Sequence, residues 1–242
     1  MKQNAEYRRE GRALTKGKIL NIFLVGFIFS TLVGVVTGIG ANFNPVLDQD
    51  MLTILDAGNP AVAQLFNLIA IALGGYVTFG VTKMYIGVAK NEKPELEPIL
   101  TAGVKEQPIN APLLSVISNL FIILWTLLFI VPGIVKSYSY AMSSYILVNE
   151  KTLGPVDAIT KSRQLMDGKK MQLFMLDLGY FGWYLLPILT FGILASLLNL
   201  GYIGWILLSI LTLVILSIWV SAWHQTARAL FFADAYQVNQ KR

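Results

Sequence analysis

Between Leu178 and Trp223 the chain carries no Asp, Glu, Lys, Arg or His. A helix in water needs a polar face and a loop in water needs polar residues, and this stretch has neither in sufficient number. Hydrocarbon is the solvent that suits it, because a helix satisfies its own backbone groups there. About 18 apolar residues mark a membrane span, so this stretch alone has room for two, separated at Gly201. The same signature recurs upstream. The sequence is 55% hydrophobic and only 14% charged, against about 25% charged in an ordinary soluble domain.

Six apolar runs are expected to span, over about 19–39, 61–88, 112–131, 134–148, 171–198 and 203–232. The first, Ile19 to Ile39, exceeds the roughly 7–15 residues of a signal-peptide core and reads as a retained span. The last is long for ~30 Å of hydrocarbon, so its end projects into the cytoplasm. Between the third and fourth runs stands Pro132-Gly133, a turn signal. A hairpin of two spans and one kinked helix both fit these two residues. Charge decides for the hairpin, because the flanking segments 89–111 and 149–170 are both rich in Lys and both belong in the cytoplasm. Lys136 then lies at the outer interface. The expected outer segments 41–60 and 199–202 contain no Lys or Arg. The fold class is therefore all-α, a polytopic bundle of six transmembrane helices in the plasma membrane with both termini cytoplasmic.

Three amphipathic segments, about 5–16, 96–103 and 155–167, are expected on the cytoplasmic surface. In the best formed, Pro155 suits the first helical turn, Asp157 favours the positive end of the helix dipole, and Gly168 suits a left-handed cap. Leu-x-x-Gly occurs at the end of each, at Gly17, Gly103 and Gly168, followed closely by Lys and then by an odd-numbered span. This predicts a repeated unit of interfacial helix, glycine cap and membrane hairpin. In the first span Gly26, Ser30, Gly34 and Gly38 recur every four residues and form a small-residue ridge for helix packing, within the chain or between two copies. Asn67 and Asn119 are expected to bond between helices.

The net charge of +5 resides in loops that set orientation, which argues against nucleic acid as a partner. With no cysteine, thiolate metal sites and disulfides are excluded. Asp48, Asp50 and Asp56 lack the Gly and the terminal Glu of a calcium loop and read as a solvated loop. Lys83, near the end of the second span, reads as a snorkelling residue or as a functional one. There is one His, and no His-Glu-x-x-His, Gly-x-Ser-x-Gly or Walker A sequence, so no enzyme activity and no cofactor are expected.

Asp177 falls about six residues into the fifth span, roughly 10 Å along it at 1.5 Å per residue. His224 and Arg228 stand at i and i+4 near the cytoplasmic end of the sixth. An isolated Asp is costly in hydrocarbon, so the three form a candidate intramembrane polar cluster. It reads as a structural ion pair, as a proton- or substrate-handling site, or as interfacial solvation of Asp177.

Val131-Pro132-Gly133-Ile134-Val135-Lys136-Ser137 and the run from Ala158 to Lys170 resemble a bacterial integral-membrane family known only as domain of unknown function 975. That family is distantly similar to membrane domains attached to some glycerophosphodiester phosphodiesterases. The resemblance implies architecture and no activity or catalytic residues. The expected function is a non-enzymatic accessory or scaffold protein contacting lipid, another membrane protein or a second copy of itself. A small transporter or lipid-handling protein, and then an intramembrane enzyme, are the alternatives.

Overall fold

The computed structural model describes residues 1–24, 27, 31, 34–36, 60–94, 96–197 and 202–240. All regular secondary structure among them is helical. We label the helices α1 (Asn4–Thr15), α2 (Pro60–Ala89), α3 (Leu96–Glu106), α4 (Asn110–Leu128), α5 (Ile130–Tyr140), α6 (Ser143–Asn149), α7 (Pro155–Leu165), α8 (Lys170–Leu197) and α9 (Tyr202–Gln240). Among the described residues, two helical stretches, Gln64–Ala89 and Asn110–Leu128, are long and apolar enough to cross a membrane. In the first expected span, residues 19–24, 27, 31 and 34–36 are helical. Gly26, Ser30, Gly38 and the acidic segment 41–59 lie outside the described residues. A Cβ on Gly34 would meet no described atom within 4 Å.

The chain divides into two compact units. One comprises Met1–Phe23, Tyr85–Pro94 and Leu165–Arg242; the other comprises Leu24–Met84 and Glu95–Gln164.

In the second unit, backbones approach closely where glycine removes the obstacle. A Cβ on Gly75 of α2 would fall 2.5 Å from Pro112 Cα, and one on Gly103 of α3 would fall 2.9 Å from the Tyr76 carbonyl oxygen. Gly103 is therefore not a cap. It lies inside α3, which runs on to Glu106, and it lets α3 lie against α2. Gly17 and Gly168 do follow α1 and α7 with φ of 77° and 70°. The repeated glycine-capped unit fails at its middle copy.

α4 and α5 form an antiparallel hairpin. Phe121 packs on Tyr140 with ring centroids 6.1 Å apart, and Lys136 Nζ sits 4.3 Å from the Trp125 ring centroid. The turn is Phe129, extended at φ −157° and ψ 142°, and not Pro132-Gly133 as expected. Pro132 occupies the first turn of α5, where its missing N–H would be unpaired in any case. Gly133 serves packing, since a Cβ there would lie 2.9 Å from Thr126 Cα.

The expected fourth span is two helices, α5 and α6, broken at Ala141-Met142. A side chain from α7 fills the break. The fully buried Ser162 accepts a hydrogen bond from the Met142 N–H at 3.2 Å and donates one to the Ser139 carbonyl at 2.8 Å. Buried groups left unpaired by the break are thereby satisfied. Ala158, Ile159, Ser162, Leu165 and Met166 are all buried, at the spacing of one helix face.

In the first unit, α1 lies along α9. Tyr7, Gly11 and Thr15 form its buried stripe. The Tyr7 ring meets Phe231 edge-on at 5.8 Å, and its hydroxyl donates to Asp234 at 2.9 Å. A Cβ on Gly11 would fall 3.0 Å from the Trp223 carbonyl oxygen, so the two backbones nearly touch. Asn4 Nδ2 donates to the Gln172 carbonyl at 3.0 Å, and Gln172 Nε2 donates to the Lys2 carbonyl at 2.9 Å. The apolar stripe of α1 is thus taken up by helices, and not offered to lipid as expected for residues 5–16. Leu173, Leu176 and Tyr180 of α8, with Ala227, Phe231 and Ala235 of α9, complete a buried core. α8 has 28 residues and α9 has 39, about 42 Å and 58 Å at 1.5 Å per residue.

Candidate functional site

The sparse charges on α8 and α9 converge. Asp177 sits on α8 between the buried Leu176 and Tyr180, while His224 and Arg228 are one turn apart on α9. The Arg228 guanidinium grips the carboxylate with both prongs, Nε to Oδ1 at 3.0 Å and Nη2 to Oδ2 at 2.6 Å. His224 Nε2 lies 2.7 Å from the same Oδ1. Parallel charge-assisted bonds of this kind are the strongest a carboxylate makes, and they fix its orientation. Tyr180 backs the imidazole with its ring centroid 4.9 Å away, and its hydroxyl points to the Trp223 carbonyl at 3.4 Å.

Two further cations that the sequence reading left out reach this region from α1. Arg8 and Arg12 stand at i and i+4, so they share a face. The Arg8 Nη1 atom occupies the space beside Gly179 that a Cβ would fill. The Arg12 guanidinium lies 5.4 Å from the Trp183 ring centroid and 5.1 Å from that of Trp223, within cation–π range. Those two indoles meet edge-on at 6.3 Å, and Trp219 extends the stack to 6.2 Å from Trp223. The signal for this grouping was available as the four-residue spacing of Arg8 and Arg12 alongside Gly11, but the partner helix could not be named from it.

A second charged cluster lies in the other unit. Lys83 pairs with Glu106, and Lys151 Nζ lies 3.0 Å from the same carboxylate. Lys83 is therefore ion-paired. Burial pushes the Glu106 carboxyl up, but the two ammonium groups outweigh it and hold the group below its ordinary value. Gln107 next door bonds the Lys151 carbonyl at 2.6 Å and Asn110 at 2.8 Å, tying the α3–α4 junction to the turn before α7. Asn119 bonds its own helix at Ser115, 2.8 Å away, and not a neighbouring one as expected; Asn67 is exposed.

At the end of α1, burial and the Asp234 carboxylate together push the Tyr7 phenol well above its ordinary value. Among the described residues no group of three or more His, Cys, Asp or Glu is placed to hold a metal ion.

A family model described as a protein of unknown function, DUF975, matches residues 129–198. The match begins at the Phe129 turn and runs through α5, α6 and α7 to the end of α8. It leaves out α1 and α9, which supply His224, Arg228, Arg8 and Arg12. No curated protein and no solved structure matches the chain. The part of the chain from Phe129 to Leu198 is similar to an uncharacterised family.

Proposed function

We propose that the chain is a six-span membrane protein with both termini in the cytoplasm, acting without catalysis as an accessory protein that contacts lipid or a membrane partner. The observation that carries this reading is the α4–α5 turn. Leu127, Leu128, Phe129, Ile130 and Val131 are exposed by 83, 63, 72, 71 and 69%. Five consecutive large apolar residues at a turn would drive aggregation in water; acyl chains solvate them. The satisfied state of Asp177 supports a structural role over transport. Its two oxygens already take the bonds of Arg228 and His224, and a translocation site must exchange such partners during a cycle. In this reading Asp177, His224 and Arg228 lie near the cytoplasmic edge of the hydrocarbon, when about 30 Å is counted back from Leu197 and Tyr202.

The cysteine-free sequence suits single-cysteine accessibility mapping in intact cells. Gln49→Cys should react with an impermeant maleimide from outside, and Thr152→Cys and Gln237→Cys only after permeabilisation. Labelling of Gln49 and Thr152 from the same side would overturn the topology. A proton leak in proteoliposomes that requires both the protein and Asp177 would overturn the accessory role.

A further inference from the structure

The unused charge beside the Asp177 cluster specifies a ligand. The carboxylates of this unit that pair with neighbours are already taken. Asp177 is held by Arg228 and His224, Glu10 by Lys2 at 2.8 Å, and Asp234 by the Tyr7 hydroxyl. Among the described residues, no carboxylate pairs with Arg8 or Arg12. The group formed by Arg8, Arg12, Arg228 and Asp177 therefore carries an excess of positive charge. The two guanidiniums are held in place although Arg12 is exposed. Arg8 is half-buried against the backbone at Gly179, and Arg12 is anchored over two indoles.

Their level along the helices identifies what they meet. Trp223 lies about 31 Å along α9 from Tyr202 at 1.5 Å per residue, so it falls where about 30 Å of hydrocarbon gives way to headgroups. Indoles concentrate at that boundary. The outermost indole of the stack, Trp219, is 47% exposed and one turn nearer the hydrocarbon, where an acyl chain would lie. A guanidinium matches a phosphate with two parallel hydrogen bonds, and two guanidiniums one helical turn apart can share a single phosphate.

We propose that Arg8 and Arg12, on a floor formed by Gly179 and the Trp183–Trp223 pair, bind the phosphate of an anionic phospholipid headgroup. α1 is thereby a lipid-reading element clamped to α8 and α9. This rests on the membrane reading above.

The test uses the full chain in phosphatidylcholine vesicles, with a brominated phospholipid added at equal mole fraction as phosphatidylglycerol or as phosphatidylcholine, and tryptophan quenching as the readout. At roughly fivefold per basic residue near an anionic surface, the pair should favour phosphatidylglycerol by on the order of 20-fold in relative association. Arg8→Gln/Arg12→Gln should abolish that preference, Arg8→Lys/Arg12→Lys should retain part of it, and Arg9→Gln, on the exposed side of α1, should lower it by no more than the roughly fivefold of one unsited charge. Glycerol 3-phosphate in excess should not displace the lipid. Equal quenching by the two lipids in the wild type, an unchanged preference in the double glutamine variant, or an equal loss in Arg9→Gln would each overturn the proposal. Displacement by glycerol 3-phosphate would assign the site to a soluble phosphate ester and overturn the lipid assignment. Carbonate-resistant insertion into pure phosphatidylcholine, measured on the same samples, separates the two readings. Its failure would defeat the membrane reading, whereas its success with no lipid preference would defeat only this proposal.

Discussion

Replacing Arg228 by Gln removes both prongs from Asp177 and leaves its carboxylate with His224 alone. A hydrogen bond to a charged group contributes about 1.5–3 kcal/mol, and stranding one partner of a buried pair costs about 3–5 kcal/mol. The side chains of Asp177 and Arg228 keep 14% and 23% of their exposure, so solvent and mobile ions recover part of that cost. Arg228→Gln should therefore destabilise the folded state by about 2–3 kcal/mol, and Asp177→Asn by a similar amount, because an amide N–H would face the guanidinium. The double variant strands no charge and should cost no more than about 3–4 kcal/mol. The resulting coupling energy is about 1.5 kcal/mol. Reversible unfolding in mixed micelles, followed through the fluorescence of Trp183 and Trp223 beside the site, measures all four corners of the cycle. Costs that add to within about 0.5 kcal/mol would mean that the two side chains do not act as a pair, and the account of Asp177 as a structural residue would fall.

Ser162→Ala adds no bulk but leaves the Met142 N–H and Ser139 carbonyl unpaired; it should cost about 1–3 kcal/mol, with faster amide exchange confined to the α5–α6 break. Gly103→Ala forces a methyl to within 2.9 Å of a carbonyl oxygen and should cost about 1–3 kcal/mol, whereas Gly34→Ala, open in the same test, should be neutral or slightly stabilising by thermal melting. Glu106 titrates below its ordinary 4.5 in the folded chain, so its ion pairs contribute stability above that pH and lose it as pH falls through the folded value; Glu106→Gln should lower stability at neutral pH and flatten this acid limb. Tyr7 titrates above its ordinary 10.0 when folded, so the unfolded chain releases the proton first and stability declines as pH rises past 10; Tyr7→Phe should lack that decline in an alkaline unfolding series.

Long apolar runs and rare charges made two things legible, an all-helical chain and helices such as Gln64–Ala89 and Asn110–Leu128 that are long and apolar enough to cross a membrane. The α4–α5 hairpin was reached from the Lys-rich segments on either side. The meeting of Asp177, His224 and Arg228 was suggested by scarcity, since few groups in an apolar stretch can satisfy a carboxylate. What stayed hidden depended on partners distant in the chain. Phe129 has no turn propensity; the break there is set by how the two helices pack at Thr126 and Gly133. Nothing in Tyr140-Ala141-Met142-Ser143 announces a helix break, because the hydroxyl that stabilises it belongs to Ser162. Gly103 carried the local signature of a cap, but a glycine that ends a helix and one that admits another backbone look alike until Tyr76 is placed beside it. The amphipathic face of α1 was visible, yet an apolar stripe fits lipid and helix equally well. Only Gly11 against Trp223 and Tyr7 against Phe231 and Asp234 decide between them.

α9 is a single rod of 39 residues with no proline in it. On the membrane reading proposed above, such a rod is mechanically a lever whose fulcrum is the membrane surface. The arm beyond Trp223 is about 26 Å long at 1.5 Å per residue, so tilting the membrane half by about 10°, well within the range that bilayer thickness imposes on spanning helices, would swing Gln240 through about 4–5 Å. α1 is bolted to this arm at Tyr7 and Gly11 and would travel with it. On that reading, changes in bilayer thickness would be converted into displacement of a rigid post at the membrane surface.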